Sequence, residues 1–472
     1  YMQKRWRIKN EESKVVQSES LKSLVDILLA NRGISAQEEI DAFLSPNWDR
    51  GIHDPFLFRQ MPQAVERIFR AIENGEHITV HGDYDADGVS GSAVLITTLR
   101  ALHPLSSPFV RGRSSQILEK ETPPLTQGGL EGCIIDSYIP HRDKEGYGLN
   151  LNSVHVLHER GTNLIITVDC GIANVEEIAL AKSLGIDTIV VDHHQFGDEL
   201  PDGILIHPKL PGEMYPFPHL AAVGVAWKLA CALIVTARRK AAYGGQAGGI
   251  PIGFEKWLLD FVSIATVTDM VPLVGENRVL ETYGLKVMNK TRRHGLKALI
   301  NAAGAELGHI DTETIGFGIG PRINAAGRMN HASLALRLLL AENEEEAKTL
   351  ADELEGRNRE RQKATAKMMG EAEMQIVGAQ FIAPNQMGVI NHAPTSRLIV
   401  LWSDTWSPSL VGLIAGKYLD RTGKPTIAIG KHGEKWIGSG RSFAEYDITQ
   451  AVRVAGEGIL SRAGGHVQAC GF

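Results

Sequence analysis

The sequence has few cysteines, no long apolar run and no large excess of charge of one sign. Its four cysteines lie far apart and form no CxxC pair, which argues against a disulfide scaffold and against a zinc knuckle. No apolar run reaches the roughly 18 residues that a membrane helix needs, and the basic N-terminus lacks the apolar core of a secretory signal. The net charge of -6 gives no global attraction to nucleic acid, so such binding would need local arginine and lysine clusters. We therefore predict a cytoplasmic protein.

The length of 472 residues and the order of the apolar segments predict an α/β protein of two domains. A helical segment over residues 1–75 should pack on a catalytic domain over residues 76–340. In that domain apolar strands flank a helix-like segment, which is a βαβ unit and predicts a parallel sheet. Residues 341–380 contain few helix breakers and predict one long connecting helix. Residues 381–472 again alternate apolar runs with a helix-like segment and predict a smaller α/β domain.

Two stretches interrupt this pattern. Residues 103–137 are rich in proline, serine and glycine, and residues 236–253 contain the sequence ARRKAAYGGQAGGIP. We predict that both are surface insertions, and internal loops of this length are commonly functional or mobile. Arg111 and Arg113 in the first stretch could contact a substrate, or the stretch could be inert.

Acidic and histidine side chains follow several apolar strands of the predicted sheet. They are His81, Asp83, Asp85 and Asp87 in HGDYDADG, Asp169 after LIITV, Asp192, His193 and His194 after TIVV, and Asp269 in IATVTDMVPL. Charges packed this closely repel one another unless a multivalent cation lies among them. A mixed carboxylate and imidazole set suits manganese or a similar divalent ion. Since parallel strands end at one edge of a sheet, we expect enough ligands there for two cations, with Asp169 on the middle strand as the bridging residue.

Each group has a simpler interpretation when it is taken alone. An isolated Asp-rich turn is commonly a solvated loop or a helix cap, and Asp169 could cap the turn that follows it. The histidine pair could be buried and satisfied by backbone groups, and Asp269 could be an ordinary turn residue. Their coincidence at several strand ends favours a two-metal site. Such a site suits phosphoryl chemistry because it generates hydroxide near neutral pH and neutralises charge on the phosphate.

The segments HGDYDADG, VDCG, VDHH and TDMVPL resemble the four metal-site motifs of the DHH superfamily of phosphoesterases. GSGRS and AGGHVQACGF resemble the phosphate-binding part of the DHHA1-like domain that accompanies them. YIPHRDKEGYGLN, GPRINAAGRM and ELEGRNRERQ resemble the branch of single-stranded-DNA exonucleases in particular. The resemblance implies 5′-to-3′ hydrolysis of single-stranded DNA to mononucleotides in DNA repair and recombination, with the active site in a cleft between the two domains. It also implies a helicase and a single-strand-binding protein as partners.

The same resemblance implies roles for individual residues. His81, Asp85 and Asp169 would surround one divalent cation, and Asp87, Asp169, His193 and Asp269 would surround another. The cations would be manganese, with magnesium as the alternative. His194 would contact the scissile phosphate or act as general acid, and Asp83 would lie beside the cations as a ligand or behind one. Substrate binding is implied for Arg322, Asn324, Arg328, Arg441, Gly464, Gly465 and His466.

Members of that branch normally continue into an oligonucleotide-binding barrel, whereas this sequence stops just after AGGHVQACGF. We therefore expect a catalytic core with weaker or less processive strand binding. One alternative function is a DHH enzyme that acts on short oligonucleotides, cyclic dinucleotides or pyrophosphate. Another is a catalytically inactive DNA-binding scaffold, which predicts eroded metal ligands, whereas this sequence retains them all.

Overall fold

The computed structural model describes residues 24–102, 133–242, 250–329, 332–382 and 397–472. The chain divides into two compact units. The larger unit comprises Asp41–Asn358, and the smaller unit comprises Arg359–Phe472 together with the described part of the first 40 residues. Both units combine helices with a sheet, which confirms the predicted α/β class. None of the described helices is both long enough and apolar enough to cross a membrane.

The larger unit contains a parallel sheet, and its described strands follow the order β2-β1-β3-β4-β5. The strands are β1 (His77–Gly82), β2 (Ile134–Tyr138), β3 (Leu164–Val168), β4 (Asp187–Val191) and β5 (Ile204–Ile206). Consecutive residues of a strand enter different apolar clusters. Ile165 and Val190 pack into one cluster, whereas Ile166 and Val191 pack into the other. Since side chains alternate along a strand, apolar layers cover both faces of the sheet.

Helices supply these layers. In chain order the described α-helices up to residue 340 are α1 (Leu24–Ala30), α2 (Gln37–Leu44), α3 (Trp48–Gly51), α4 (Met61–Glu73), α5 (Ala86–Leu102), α6 (Arg142–Glu145), α7 (Leu151–Glu159), α8 (Val175–Ser183), α9 (Ala222–Ala242), α10 (Phe254–Trp257), α11 (Leu259–Thr268), α12 (Gly275–Met288), α13 (His294–Ala302), α14 (Gly320–Met329) and α15 (Ser333–Leu340). Of these, α1 and the start of α2 belong to the smaller unit. On one face α5 packs against α9 and α11 around fully buried side chains such as Leu95 and Phe261. On the other face α7 and α8 cover a smaller cluster that includes Val154 and Ile178.

The two predicted insertions are shorter than the sequence indicated. Residues 134–137 belong to β2, which pairs with β1 at the edge of the sheet, and residues 236–242 continue α9. The prediction missed β2 because an edge strand that is largely half-buried lacks the continuous apolar run of a central strand. Arg111 and Arg113 lie outside the described residues.

The helix α16 spans Glu344–Ile382, so it begins in the larger unit and continues into the smaller one. The remaining elements of the smaller unit are β6 (Ile399–Trp402), α17 (Pro408–Thr422), β7 (Thr426–His432), β8 (Lys435–Arg441), α18 (Ile448–Ala455), β9 (Gly464–His466) and β10 (Ala469–Gly471). Their described strands form a mixed sheet in the order β6-β7-β8-β10-β9. Its core includes Trp406, Leu410 and Tyr418 of the α17 layer, packed with Met368 and Ala372 of α16.

Candidate active site

Three aspartates extend the hydrogen-bonding of the parallel sheet by one residue. The backbone N–H groups of Asp83, Asp169 and Asp192 each donate to the carbonyl of the last residue of the neighbouring strand, over 3.1, 3.0 and 3.3 Å. These residues follow β1, β3 and β4, which are adjacent in the sheet. Neighbouring strands lie about 4.8 Å apart. The ladder therefore carries the three acids in a row along the carboxyl edge.

The segment after β1 folds tightly under the start of α5. The carboxylate of Asp85 accepts hydrogen bonds from the backbone N–H of Asp87 (2.8 Å) and of Gly88 (3.2 Å), and so caps the helix. A Cβ atom at Gly88 would lie 2.5 Å from the backbone of Asp83. Glycine is therefore required there, because the helix and the aspartate loop approach each other at backbone contact.

Asp87 is held by a different helix. Its two carboxylate oxygens accept hydrogen bonds from the backbone N–H of Ala222 and of Val223, each over 2.8 Å. These N–H groups belong to the first turn of α9 and have no partner within that helix. Asp87 therefore anchors α9 while it faces the carboxyl edge of the sheet.

The side chains converge in three groups in which the ligand atoms lie within 4.8 Å of one another. The groups are Asp83, Asp85 and Asp169, then Asp87, His193 and Asp269, and finally Asp169, His193 and His194. Asp169 and His193 each belong to two groups, and Asp269 joins them from the C-terminal end of α11. The structure brings together every predicted member except His81. Asp83 completes the first group instead.

His193 lies among three carboxylates. Its Nε2 is 3.3 Å from Asp169 Oδ1, 3.7 Å from Asp269 Oδ2 and 3.8 Å from Asp87 Oδ2. Its backbone carbonyl accepts a hydrogen bond of 2.9 Å from Lys209 Nζ. One imidazole is therefore within about 4 Å of acids that come from three different elements.

The donor set fits divalent cations. Four of its buried ligand atoms have no hydrogen-bond partner among the described residues, and they are His81 Nε2, Asp83 Oδ1, Asp169 Oδ1 and His193 Nε2. A buried polar atom without a partner costs free energy, about 1–3 kcal/mol in proteins. Buried carboxylates and imidazoles that lie together and lack hydrogen-bond partners are suitable ligands for Mn²⁺ and similar ions. A cation in each group would satisfy the atoms of Asp83, Asp169 and His193, whereas His81 belongs to none of the groups.

The pKa shifts of the acidic cluster also indicate that it requires a cation. Burial, and next the charge of neighbouring carboxylates, raise the pKa of Asp83, Asp87 and Asp169 well above the ordinary value. The same causes raise the pKa of Asp269 to about 7. Burial, and next the nearby His194, lower the pKa of His193 to about 3. A divalent cation would reverse the penalty on the carboxylates and would favour the neutral imidazole that coordinates metals.

The predicted substrate residues of the larger unit lie on α14. Asn324 Oδ1 accepts a hydrogen bond of 2.8 Å from the backbone N–H of Ala86, which attaches α14 to the aspartate loop. Arg322 forms an ion pair of 2.8 Å with Glu355. Arg328 follows Gly327, which lies against the backbone of Tyr84, since a Cβ atom at Gly327 would be 2.5 Å from the Tyr84 carbonyl oxygen. Asn324 and Arg328 therefore lie next to the acidic cluster, whereas Arg322 is engaged with α16.

Two of the predicted phosphate-binding residues of the smaller unit, Arg441 and His466, lie in one row of its sheet. Arg441 of β8 pairs with Ala469 of β10, and Ala469 pairs with His466 of β9. Gly465 has φ +146°, and a Cβ atom there would lie 2.2 Å from the carbonyl of Ala469. Gly464 is exposed, and the side chain of His466 lies outside the described part of the chain.

Comparison with known proteins gives a consistent result. The DHH family, N-terminal domain, matches residues 77–266. The single-stranded-DNA-specific exonuclease RecJ of Bacillus subtilis is 39% identical over 475 residues, which cover 99% of this chain and 53% of the relative. The protein of the same name from Escherichia coli is 32% identical, over 96% of this chain and 72% of the relative. The chain belongs to the RecJ family. The resemblance to the DHH superfamily is thereby confirmed.

A solved RecJ structure has the same fold. The crystal structure of RecJ from Thermus thermophilus in complex with Mn²⁺ matches with a TM-score of 0.70 and 28% sequence identity. The match covers 94% of this chain and 55% of that one. The chain therefore spans about half the length of the Bacillus and Thermus RecJ proteins.

Sequence reasoning missed several residues of this RecJ-family site. Tyr147 contacts both Asp169 and His194, and Lys209 binds the backbone of His193. The guanidinium of Arg142 lies 4.7 Å from the ring centre of Tyr84. Tyr147 and Arg142 belong to the segment YIPHRDKEGYGLN, which carried the resemblance without any residue being assigned a role. Their contacts are made between loops that are distant in sequence, so spacing gave no signal for them.

Proposed function

We propose that this chain is a metal-dependent exonuclease that degrades single-stranded DNA from the 5′ end and releases mononucleotides. The observation that carries the proposal is the convergence of acids from β1, β3 and α11 with His193, which leaves buried Asp169 and His193 atoms unpartnered. RecJ proteins of this name act on single-stranded DNA, and one is bound to Mn²⁺. The role in DNA repair and recombination is inferred from the same relatives.

Two divalent cations, manganese or alternatively magnesium, would supply a hydroxide near neutral pH and neutralise charge on the phosphate. We assign Asp83, Asp85 and Asp169, with His81 behind them, to the first cation. Asp87, Asp169, His193 and Asp269 are assigned to the second. Asp169 would be shared by both, because its carboxylate belongs to two of the convergent groups.

His194 would act on the scissile phosphate. Its Nδ1 lies 2.8 Å from Asp192 Oδ1, so Nε2 is the ring atom through which it would contact the phosphate. Burial lowers the pKa of His194, but the hydrogen bond and the charge of Asp192 together outweigh burial, so the pKa is raised. With one proton on Nδ1 toward Asp192, the ring can donate a hydrogen bond or a proton from Nε2 to the phosphate or the leaving group when it is the imidazolium.

Substrate phosphates away from the reaction would be held by arginines and by exposed backbone. In the larger unit we assign Asn324, Arg328 and Arg322 to this role. In the smaller unit we assign Arg441 and the strand Gly464–His466, since a fork-shaped guanidinium and a side-chain-free backbone both suit phosphate oxygens. A helicase and a single-strand-binding protein as partners, and a cytoplasmic location, complete the proposal and rest on family membership.

The test uses the purified chain, Mn²⁺ and a single-stranded oligonucleotide labelled at its 3′ end. The expected result is progressive shortening of the labelled strand, while the same strand labelled at its 5′ end releases labelled mononucleotide at once. EDTA should stop both reactions. Cleavage that starts from the 3′ end would overturn the polarity.

Two rival functions give different results in the same assay. Intact DNA beside rapid hydrolysis of pyrophosphate or a cyclic dinucleotide would assign the metal site to another branch of the superfamily. DNA binding without hydrolysis of any of these phosphates, at saturating Mn²⁺, would support an inactive scaffold.

A further inference from the structure

We propose that Tyr147 is a positioning residue of this active site, whose hydroxyl ties the ring of His194 to the backbone of Asp169. The inference deepens the proposed function and rests on it, because it takes His194 as the residue that acts on the phosphate. Tyr147 would not touch the phosphate through this hydroxyl. It would act through His194.

The two partners of the Tyr147 hydroxyl determine which atom is the donor in each hydrogen bond. Tyr147 Oη donates to the backbone carbonyl of Asp169 over 2.7 Å. A hydroxyl has one proton, so toward His194 Nδ1, at 3.1 Å, the oxygen can only accept. His194 Nδ1 must therefore carry the proton, which it shares between Tyr147 and Asp192 Oδ1 at 2.8 Å. Two acceptors on one N–H fix the plane of the ring as well as its tautomer.

The side chain of Asp192 is held in place by other hydrogen bonds, so it provides a fixed acceptor for His194 Nδ1. Its Oδ1 also accepts from the backbone N–H groups of His193 (2.7 Å) and His194 (3.2 Å), and its Oδ2 accepts from that of Ile172 (3.1 Å). His207 Nε2 lies 2.8 Å from the carbonyl of His194 and holds the backbone from the other side. With the acid and the backbone held, the hydroxyl of Tyr147 is a further contact that restrains the tilt of the ring.

The hydroxyl also reaches a backbone that is held in an uncommon conformation. Asp169 has φ +63°, in the left-handed region that non-glycine residues rarely occupy. The bond from Tyr147 fixes the orientation of the Asp169 carbonyl in this conformation. The rival role for Tyr147 is to support the candidate ligand Asp169 and not His194. The two roles differ in their expected effect on Mn²⁺ affinity.

The loop that carries Tyr147 is built to present it. Gly146 and Gly148 on either side have φ +85° and +75°, so the chain turns sharply before and after the tyrosine. A Cβ atom at Gly148 would lie 2.8 Å from Asn174 Oδ1, and Asn174 donates a hydrogen bond of 2.9 Å to the carbonyl of Leu149. The turn that follows the tyrosine is therefore closely packed against Asn174, although Tyr147 itself is 47% exposed.

The experiment removes the hydroxyl and keeps the ring, in the variant Tyr147→Phe. Loss of a neutral hydrogen bond predicts a decrease in kcat of about tenfold, with the KM for single-stranded DNA unchanged. Mn²⁺ affinity, measured by calorimetry without substrate, should also be unchanged. The matched control is Tyr283→Phe, since that ring packs against Trp48 away from the cluster and its variant should behave as wild type. A fall in Mn²⁺ affinity that parallels the loss of activity would overturn the proposal in favour of support for Asp169.

A double-mutant cycle tests whether the effect passes through His194. In a His194→Ala background the Tyr147→Phe change should cost nothing further. A full additional tenfold loss there would overturn the proposal. The cycle is run with single-stranded DNA and with bis(p-nitrophenyl) phosphate, so that a wild-type chain active only on the small diester refutes the proposed substrate without affecting the test of Tyr147.

Nitrogen NMR of histidine-labelled protein gives a readout that needs no turnover. The wild-type chain with Mg²⁺ should show a proton on His194 Nδ1, and Tyr147→Phe should alter the shift of that nitrogen. Protonation at Nε2 alone in the wild type would overturn the proposal whatever the activity of the protein.

Discussion

At the residue scale, most of the candidate metal ligands follow the ends of strands, whereas Tyr147, which contacts Asp169 and His194, comes from a separate loop. Acids and histidines after apolar strands were visible in the sequence, because a parallel sheet brings its strand ends to one edge. Tyr147 was not visible, since its role comes from hydrogen bonds to two other loops. The sequence could also not show that Asp83, and not His81, completes a group with Asp85 and Asp169. That choice depends on side-chain directions in one short loop.

The first prediction at this scale concerns the shared carboxylate. Asp169→Asn keeps the size of the side chain and removes its charge, so at least one cation should lose its bridging ligand. We expect hydrolysis of single-stranded DNA to fall by more than about 100-fold. Mutation of a residue that only hydrogen-bonds to a metal ligand already lowers metal affinity or activity by about 10- to 100-fold. DNA binding, followed by fluorescence anisotropy, should be partly retained. Activity within threefold of wild type would refute the two-metal assignment.

A second residue gives a prediction for stability against pH. Burial raises the pKa of Glu281 to about 8, from an ordinary value of 4.5, although Ser263 Oγ donates to it over 2.9 Å. The folded state therefore binds this proton more tightly than the unfolded state. Its contribution to stability is complete below about pH 4.5 and is lost as the pH rises through 8.

The variant Glu281→Gln should consequently match wild type near pH 5 and exceed it at pH 9. The gain in the free energy of unfolding should be on the order of 3 kcal/mol. Urea unfolding followed by circular dichroism at both pH values measures it. The exposed Glu306→Gln serves as control and should show no such difference. A gain of the same size at pH 5 would show that packing, and not the proton, is responsible.

At the scale of elements, central strands and long helices were predictable, and edges were not. β3 and β4 are continuous apolar runs because they are buried on both faces. β2 is partly exposed along its length, so it was interpreted as part of an insertion. The π-helical turn over Thr314–Ile319 also had no signal in the sequence, because it depends on how the chain enters α14.

Glycines within helices give a paired prediction at this scale. A Cβ atom at Gly356 in α16 would meet nothing within 4 Å, whereas one at Gly88 in α5 would strike the backbone of Asp83 at 2.5 Å. Gly356→Ala should therefore raise the free energy of unfolding by about 0.5–1 kcal/mol, the ordinary gain of alanine over glycine in a helix. Gly88→Ala should lower it and weaken Mn²⁺ binding. Calorimetry of both variants is the measurement, and equal effects would contradict this contrast.

At the scale of the whole molecule, the sequence indicated two α/β parts, and the structure has two compact units with separate apolar clusters. The sequence could indicate the parts because each has its own alternation of strands and helices. It could not fix the limit between them, since α16 is one uninterrupted helix from Glu344 to Ile382 that belongs to both units. Helical propensity carries no mark where a helix changes neighbours.

Because the candidate ligands all lie in the larger unit, Mn²⁺ should affect the two units unequally. Hydrogen exchange with and without Mn²⁺ should show protection at the ends of β1, β3 and β4 and none in β7 and β8. The free energy of unfolding should rise as well, by about 2.7 kcal/mol when the concentration of free Mn²⁺ is 100 times its dissociation constant. The variant Asp169→Asn should lose most of this protection. Equal protection of both sheets would indicate that the cations bind elsewhere.

Asp87 has two roles, as a candidate metal ligand and as the residue that holds α9. These roles limit how a protein lineage with this fold could lose its activity. The same carboxylate that belongs to a group of candidate metal ligands accepts hydrogen bonds from the first two N–H groups of α9. An aliphatic residue there would leave those donors buried without partners, so descendants would lose a folded protein before they lost an enzyme. Asparagine would still accept hydrogen bonds while weakening the metal site. Among inactive descendants, this position should therefore drift to asparagine and not to alanine, and it would record the ancestry of the catalytic centre after the chemistry had gone.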